Sequence, residues 1–244
     1  MRYRCVCLAR RRFSAAFRDL PTAHGGLNGM LTISRVVTPA LIPLQIRAAR
    51  MDDIYPILRL HCEAFADKFG AAFGVHGTAR GIEAMAEAWR RQGRSALRGM
   101  FVAESNGLVV GTVSLRTWDT ASDTSGAAEL AFHQVLGVWG AVRSIFALSL
   151  LEHAIERSEG YITDVAVLAR YRRNGIARAL LDHVEQEARQ RGKRFLGLYV
   201  SASNTPARRL YASVGFVDHR TRRSWLAALI LRQRTWIYMR KELG

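Results

Sequence analysis

The chain has 244 residues, of which 49% are hydrophobic. That is enough apolar side chain for one domain of roughly 150–200 residues with a substantial core, and too much for a chain disordered throughout. The formal charge of +16 draws acidic coenzymes, nucleic acid or anionic surfaces and does not decide the fold. Cys5, Cys7 and Cys62 lack paired metal-ligand spacing, so neither a metal nor a disulfide framework is expected, and a reducing cytoplasm fits best.

Residues 1–43 read as a basic, poorly ordered extension. Arg2, Arg4, Arg10, Arg11, Arg12, Arg18 and Arg35 face only Asp19, a net +6, and no apolar period is sustained. Two explanations compete: a transit-like leader, or a start placed too early with Met30 the more natural beginning. The second is preferred, because the segment has no clear amphipathic helix. The basic start also lacks the apolar run and cleavage site of a signal peptide.

The remainder, 44–244, reads as a single domain. Residues 44–49 form a short first strand. Asp52 caps a helix carrying Ile54, Ile57, Leu58, Leu60 and Phe65 at helical spacing. Residues 69–77, rich in glycine and aromatics, read as a loop, and 78–92 as a second helix with Ile82, Met85 and Trp89 on one side. Two strands, 100–104 and 108–117, flank Asn106-Gly107, a strong two-residue hairpin signal. A polar turn then leads into a long apolar insert, about 119–158 in all, which packs as a helix or helix pair on the sheet, or serves as a pocket wall or dimer contact. Its charges leave no run of about 18 apolar residues, so no membrane span is expected.

Residues 162–168 are strand-like and carry Val165, Ala166 and Val167. A basic turn, Arg172-Arg173-Asn174-Gly175, opens into a helix in which Ile176, Leu180, Leu181 and Val184 recur at helical spacing. A strand ending in a glycine turn that starts a helix aims unpartnered N–H groups at one point, where an anion binds. Arg172, Arg173 and the helix dipole add to that cradle, and Gly175 lets a ligand approach the backbone. Residues 195–202 form the next strand. Asn204-Thr205-Pro206 starts a helix containing Ala207, Leu210 and Tyr211 and closed by Gly215-Phe216. Strands at 216–222 and 235–240 complete the chain, with an apolar segment at 225–231 between them.

Arg172-x-x-Gly175-x-Ala177 after a Val-Ala-Val strand, followed by Asn204 and Leu210-Tyr211-x-x-x-Gly215-Phe216, resembles the GNAT superfamily of N-acetyltransferases. Its pattern there is Gln/Arg-x-x-Gly-x-Gly/Ala. The likeness runs from Tyr161 to Phe216 and implies an α/β, layered fold: a mixed, mostly antiparallel sheet of six to seven strands flanked by helices, from whose usual layout this chain departs by its helical insert between the third and fourth strands. It also implies acetyl-CoA as co-substrate, no metal, and direct attack by an amine in a ternary complex. The backbone of Val165, Ala166 and Val167 would hold the pantetheine arm and polarise the thioester. The pyrophosphate would sit on Arg172, Arg173, Asn174, Gly175, Ile176, Ala177 and Arg178, with Asn204 and Ala207 also on the coenzyme. Tyr211 matches the usual general acid, since a phenol with pKa about 10 is protonated at neutral pH and can donate.

The general base is less defined. Some relatives place a glutamate on the fourth or fifth strand, where this chain has Tyr161 and Tyr199. Glu159, on the same strand face as Tyr161, is the first substitute, Asp164 the second, and Glu152, His153 and Glu156 the third. The acceptor is a small-molecule amine or a peptide or protein amino group, and a homodimer is an open option. Two other readings stand beside transfer: an acyl-CoA-binding module without catalysis, and a basic nucleic-acid binder. The second lacks a recognition motif, and its arginines are scattered without interleaved aromatics.

Overall fold

The computed structural model of the protein describes residues 43–73, 78–120, 153–223 and 234–244. All of the predicted 1–43 extension but its last residue, and most of the insert, lie outside these residues, as does the segment 225–231. Among the described residues, seven strands form one sheet ordered β1-β2-β3-β4-β5-β7-β6. The strands are β1 (Gln45–Ala48), β2 (Met100–Ser105), β3 (Leu108–Arg116), β4 (Glu159–Val167), β5 (Phe195–Ser201), β6 (Val217–Arg223) and β7 (Thr235–Glu242). The helices are α1 (Ile54–Ala64), α2 (Ala66–Phe73), α3 (Thr78–Gln92), α4 (Ile176–Gln190) and α5 (Thr205–Ser213). Every neighbouring pair is antiparallel except β4 and β5, which run parallel. This is the mixed, mostly antiparallel sheet flanked by helices that the sequence led us to expect.

Strand alternation divides the core. On β2, Phe101 and Ala103 join the α4 residues Ile176, Leu180, Leu181 and Val184 on one face. Met100 and Val102 join Ile54, Ile57, Leu58 and Leu60 of α1 on the other. Both faces of the sheet centre are therefore covered, which is why β2 and β3 read as near-continuous apolar runs. The hairpin between them turns on Asn106 (φ 50°) and Gly107 (φ 75°), the two positive dihedrals a tight primed turn requires.

Three local expectations need correction. Residues 69–73, expected to open a loop, instead belong to a helix over 66–73: Phe69 and Phe73, one helical turn apart, bring their rings to 5.7 Å. That aromatic spacing outweighs the glycine content read as a loop signal. Asp52 is not the capping carboxylate. Asp53 accepts the Arg50 N–H at 2.7 Å and the Arg47 guanidinium at 2.6 and 2.9 Å, while Asp52 is exposed. β4 also begins earlier than expected, at Glu159.

Leu180 is fully buried where α4 crosses the sheet. Leu180→Ala is expected to lower unfolding free energy by about 2–5 kcal/mol, read as a lower urea midpoint with an unchanged slope.

Candidate active site

The site begins where two strands part. β4 and β5 pair in register only from Glu159–Phe195 to Ile162–Leu198, although β4 continues to Val167. Beyond that point the β5-facing edge of Thr163, Asp164, Val165, Ala166 and Val167 has no strand partner among the described residues. A bulge marks the parting: pairing with β3 shifts between Thr112 and Ser114, and Asp164 has φ 55°. Thr112 donates its hydroxyl to the Asp164 carbonyl at 3.0 Å. His61 on α1 lies 2.9 Å from the same hydroxyl. Since the threonine proton is already given away, His61 Nε2 must donate to its oxygen.

At the far end of β4 the chain turns into α4. Arg173 (φ 66°) and Gly175 (φ 76°) are both left-handed, and Gly175 is the helix N-cap with no side chain capping it. Asn174 braces the turn from inside by donating to the Tyr171 and Arg172 carbonyls at 3.1 and 3.3 Å. The first amide to find a backbone acceptor is that of Ala179, on Gly175. Among the described residues, the amides of Arg173, Asn174, Gly175, Ile176, Ala177 and Arg178 donate to nothing. Unpartnered amides at a helix start, with the positive end of the dipole behind them, make an anion cradle. A Cβ on Gly175 would meet nothing within 4 Å, so the approach is open. The arginine side chains divide their work. Arg172 folds back to donate Nε to the Val167 carbonyl at 3.1 Å, and Arg178 reaches Ser213 at the end of α5 at 2.9 Å.

Asn204 caps α5 by accepting the Ala207 N–H at 3.2 Å, so its side-chain oxygen and the Ala207 amide are occupied with each other. Tyr211 packs within the α4-side core beside Phe216, ring centroids 6.1 Å apart. Burial pushes its phenol up to about 12, so it holds its proton across the neutral range, as a donor must. Its hydroxyl makes no hydrogen bond among the described residues.

The face opposite α4 carries a second constellation. With Ile162, Leu198 and Met239 pointing into the α4-side core, alternation turns Glu159, Tyr161, Tyr199 and Tyr238 to the other face. Glu159 is 1% exposed. Its carboxylate accepts the Tyr238 hydroxyl at 2.5 Å, His153 Nε2 at 3.0 Å from both oxygens, and the Glu156 N–H at 3.1 Å. Burial pushes this carboxyl up, but the donors outweigh it and hold it below the usual carboxylate range. Burial, and then the bond to Glu159, drive the Tyr238 phenol far up. A Cβ on Gly197 would collide with the Tyr238 hydroxyl and Glu159 Oε1. The glycine makes room for that bond.

A model of the acetyltransferase (GNAT) family matches residues 60–216. The chain belongs to that family. It is 42% identical over 67 residues to the [ribosomal protein bS18]-alanine N-acetyltransferase of Escherichia coli strain K12, a match covering 28% of this chain and 45% of the relative. It is 33% identical over 76 residues to the N-terminal acetyltransferase B complex catalytic subunit NAA20 of Arabidopsis thaliana, covering 31% and 44%. The matches thus span under half the length of these curated relatives. Among solved structures, one acetyltransferase shares 27% identity at a TM-score of 0.62, covering 82% of this chain and 100% of that one. The PaiA N-acetyltransferase of Thermoplasma acidophilum, solved with coenzyme A, shares the fold at 14% identity and TM-score 0.51, covering 82% and 98%.

Within this GNAT domain, Val165, Ala166, Val167 and the 172–178 turn lie on one continuous path along the parted edge of β4 and into α4. Asp164 contributes its backbone to the bulge, and its carboxylate accepts the Thr163 hydroxyl at 2.9 Å. Glu159 sits behind His153, sealed by its donors. Tyr238 and Gly197 were missed from sequence, although a lone glycine in an apolar strand is a signal of close approach. Among the described residues no group of three or more His, Cys, Asp or Glu side chains could hold a metal, and no helix is long and apolar enough to cross a membrane.

Because the folded Glu159 carboxyl lies below its unfolded value of 4.5, its stabilisation is complete above that pH and is lost as pH falls through the folded value. The gap in thermal midpoint between wild type and Glu159→Gln is therefore expected to be widest near pH 7 and to narrow toward pH 3. A gap that does not change with pH would contradict the ionised assignment.

Proposed function

We propose that this GNAT domain transfers the acetyl group of acetyl-CoA to an amino group of a small molecule, peptide or protein, by direct attack in a ternary complex. The observation that carries the reading is the run of unpartnered amides from Arg173 to Arg178, at the end of a strand whose outer edge is also unpaired. The first fits a diphosphate and the second fits the amide-bearing pantetheine arm, which would add to β4 as a short strand. A protein of the same fold has been solved with coenzyme A, which agrees with this use.

The residue roles in this reading combine the family resemblance with the geometry of the turn and the parted edge. The left-handed turn at Arg173 and Gly175 aims the amides, and Arg173 and the helix dipole supply positive charge. The parted edge near the Asp164 bulge orients the thioester carbonyl. As the C–N bond forms and the C–S bond breaks, Tyr211 gives its proton to the departing thiolate and regains one from solvent. We assign the reaction to the cytoplasm, on cysteine usage.

Calorimetry with coenzyme A tests the first half of this reading. Wild type is expected to release heat on binding. Gly175→Glu is expected to weaken binding at least 10-fold, because it sets a like charge and a strained positive φ at the cradle. Tyr211→Phe is expected to keep coenzyme affinity within about two-fold and to lower turnover by about 100-fold. No heat from the wild type would remove the coenzyme assignment. Full turnover in the phenylalanine variant would leave Tyr211 as core packing.

A further inference from the structure

Resting on the transfer reading above, the geometry points to His153 as the proton acceptor for the attacking amine, with Glu159 as the positioning residue that fixes its ring. The resemblance places a carboxylate base at the positions of Tyr161 and Tyr199, and neither phenol is a base at neutral pH. The His153 ring lies against both, with centroids 4.5 Å from Tyr161 and 5.6 Å from Tyr199. Those two residues straddle the last β4–β5 pair, Ile162 with Leu198. The imidazole therefore sits at the throat of the split, between the side chains that replace the expected base.

The hydrogen bonds set which nitrogen is available. Glu159 has given both oxygens to donors, so it accepts from His153 and the proton lies on Nε2. Nδ1 is then the bare nitrogen, and it has no partner among the described residues. The side chains of the pair are 18% and 1% exposed, so the histidine is reachable and the carboxylate is not. Tyr238 closes the third side of the ring at 5.2 Å and ties its hydroxyl to the same carboxylate. Among the described residues, the charged and titratable groups facing the ring are thus Glu159 from β4, Tyr161 from β4, Tyr199 from β5 and Tyr238 from β7. Arg116 and Asp164 act on Tyr161, and Glu156 and Arg240 on Tyr238.

In the step itself, the nitrogen that forms the new C–N bond loses its proton to Nδ1. The resulting imidazolium keeps its Nε2–H on the Glu159 carboxylate, which offsets the new charge, and releases the Nδ1 proton to solvent once product leaves. This is the arrangement of a base oriented by a third group. It needs no co-reactant beyond the amine and the thioester.

Two measurements on the full chain test the assignment. Nitrogen-15 spectra of the histidine rings at pH 8 are expected to show His153 with its proton on Nε2 and a bare Nδ1, and mixed tautomers in Glu159→Gln. A proton on Nδ1 in the wild type overturns the assignment. Acetyl transfer from acetyl-CoA to an octapeptide with a free N-terminal alanine, and to spermidine, is followed as thiol release. His153→Gln is expected to lower kcat/KM about 100-fold, to lose the low-pH limb of the profile, and to hold coenzyme affinity within two-fold. An unchanged rate and profile overturns the assignment. If coenzyme binds but neither acceptor is acetylated, the choice of acceptor fails and the spectra alone decide. If coenzyme does not bind, the transfer reading fails first.

Discussion

The structure depends on a parallel pair of strands that is allowed to stop. β4 and β5 are held together only through Ile162 and Leu198, and each then continues without the other. An unpaired strand edge inside a sheet is costly unless something supplies its hydrogen bonds. Here the cost is offset locally: the bulge at Asp164 is anchored through Thr112 and His61, and core packing continues on the α4 face through Ile162 and Val200. The open edge therefore keeps its shape in the folded chain itself, because the residues that form it are braced by Thr112 and His61.

The two sides of the split divide the chemistry. The α4 side holds the amide cradle and Tyr211, which is buried enough to keep its proton. The opposite side holds an anion, Glu159, whose three donors come from β4's own approach segment and from β7. A fully buried carboxylate is tolerable only when its lone pairs are taken, and Gly197 supplies the space that lets Tyr238 reach it. The result is a fixed negative charge one hydrogen bond away from a reachable imidazole. Electrostatics of this kind are prepared by folding rather than by ligand binding.

The net charge also takes a specific form. Arg47 is clamped between Asp53 and Glu104, and Arg208 pairs with Asp218. Arg189 and Arg191 pair with Glu185 and Glu187 one helical turn away. Arg172 and Arg178 bind carbonyl or hydroxyl oxygens around the cradle. These six arginines are therefore committed to local structure, two of them around the turn into α4.

The sequence alone determined what depends on neighbours along the chain. The Asn106-Gly107 hairpin, the period of α3 and α4, the glycine turn at 175 and the Asn204 cap are local agreements between residue type and backbone geometry. They were legible for that reason, as was the family. Where local signals conflicted, as over 69–73, an aromatic pair at helical spacing prevailed over glycine content. Only the tertiary structure decided the company of Glu159. Its partners His153 and Tyr238 are 6 and 79 residues away in sequence, one on an irregular approach and the other on a strand that enters the sheet out of order. Sequence spacing put Glu159 on the right face. It could not show that the carboxylate is sealed and that the histidine stands in front of it, because burial and strand order are properties of the assembled sheet.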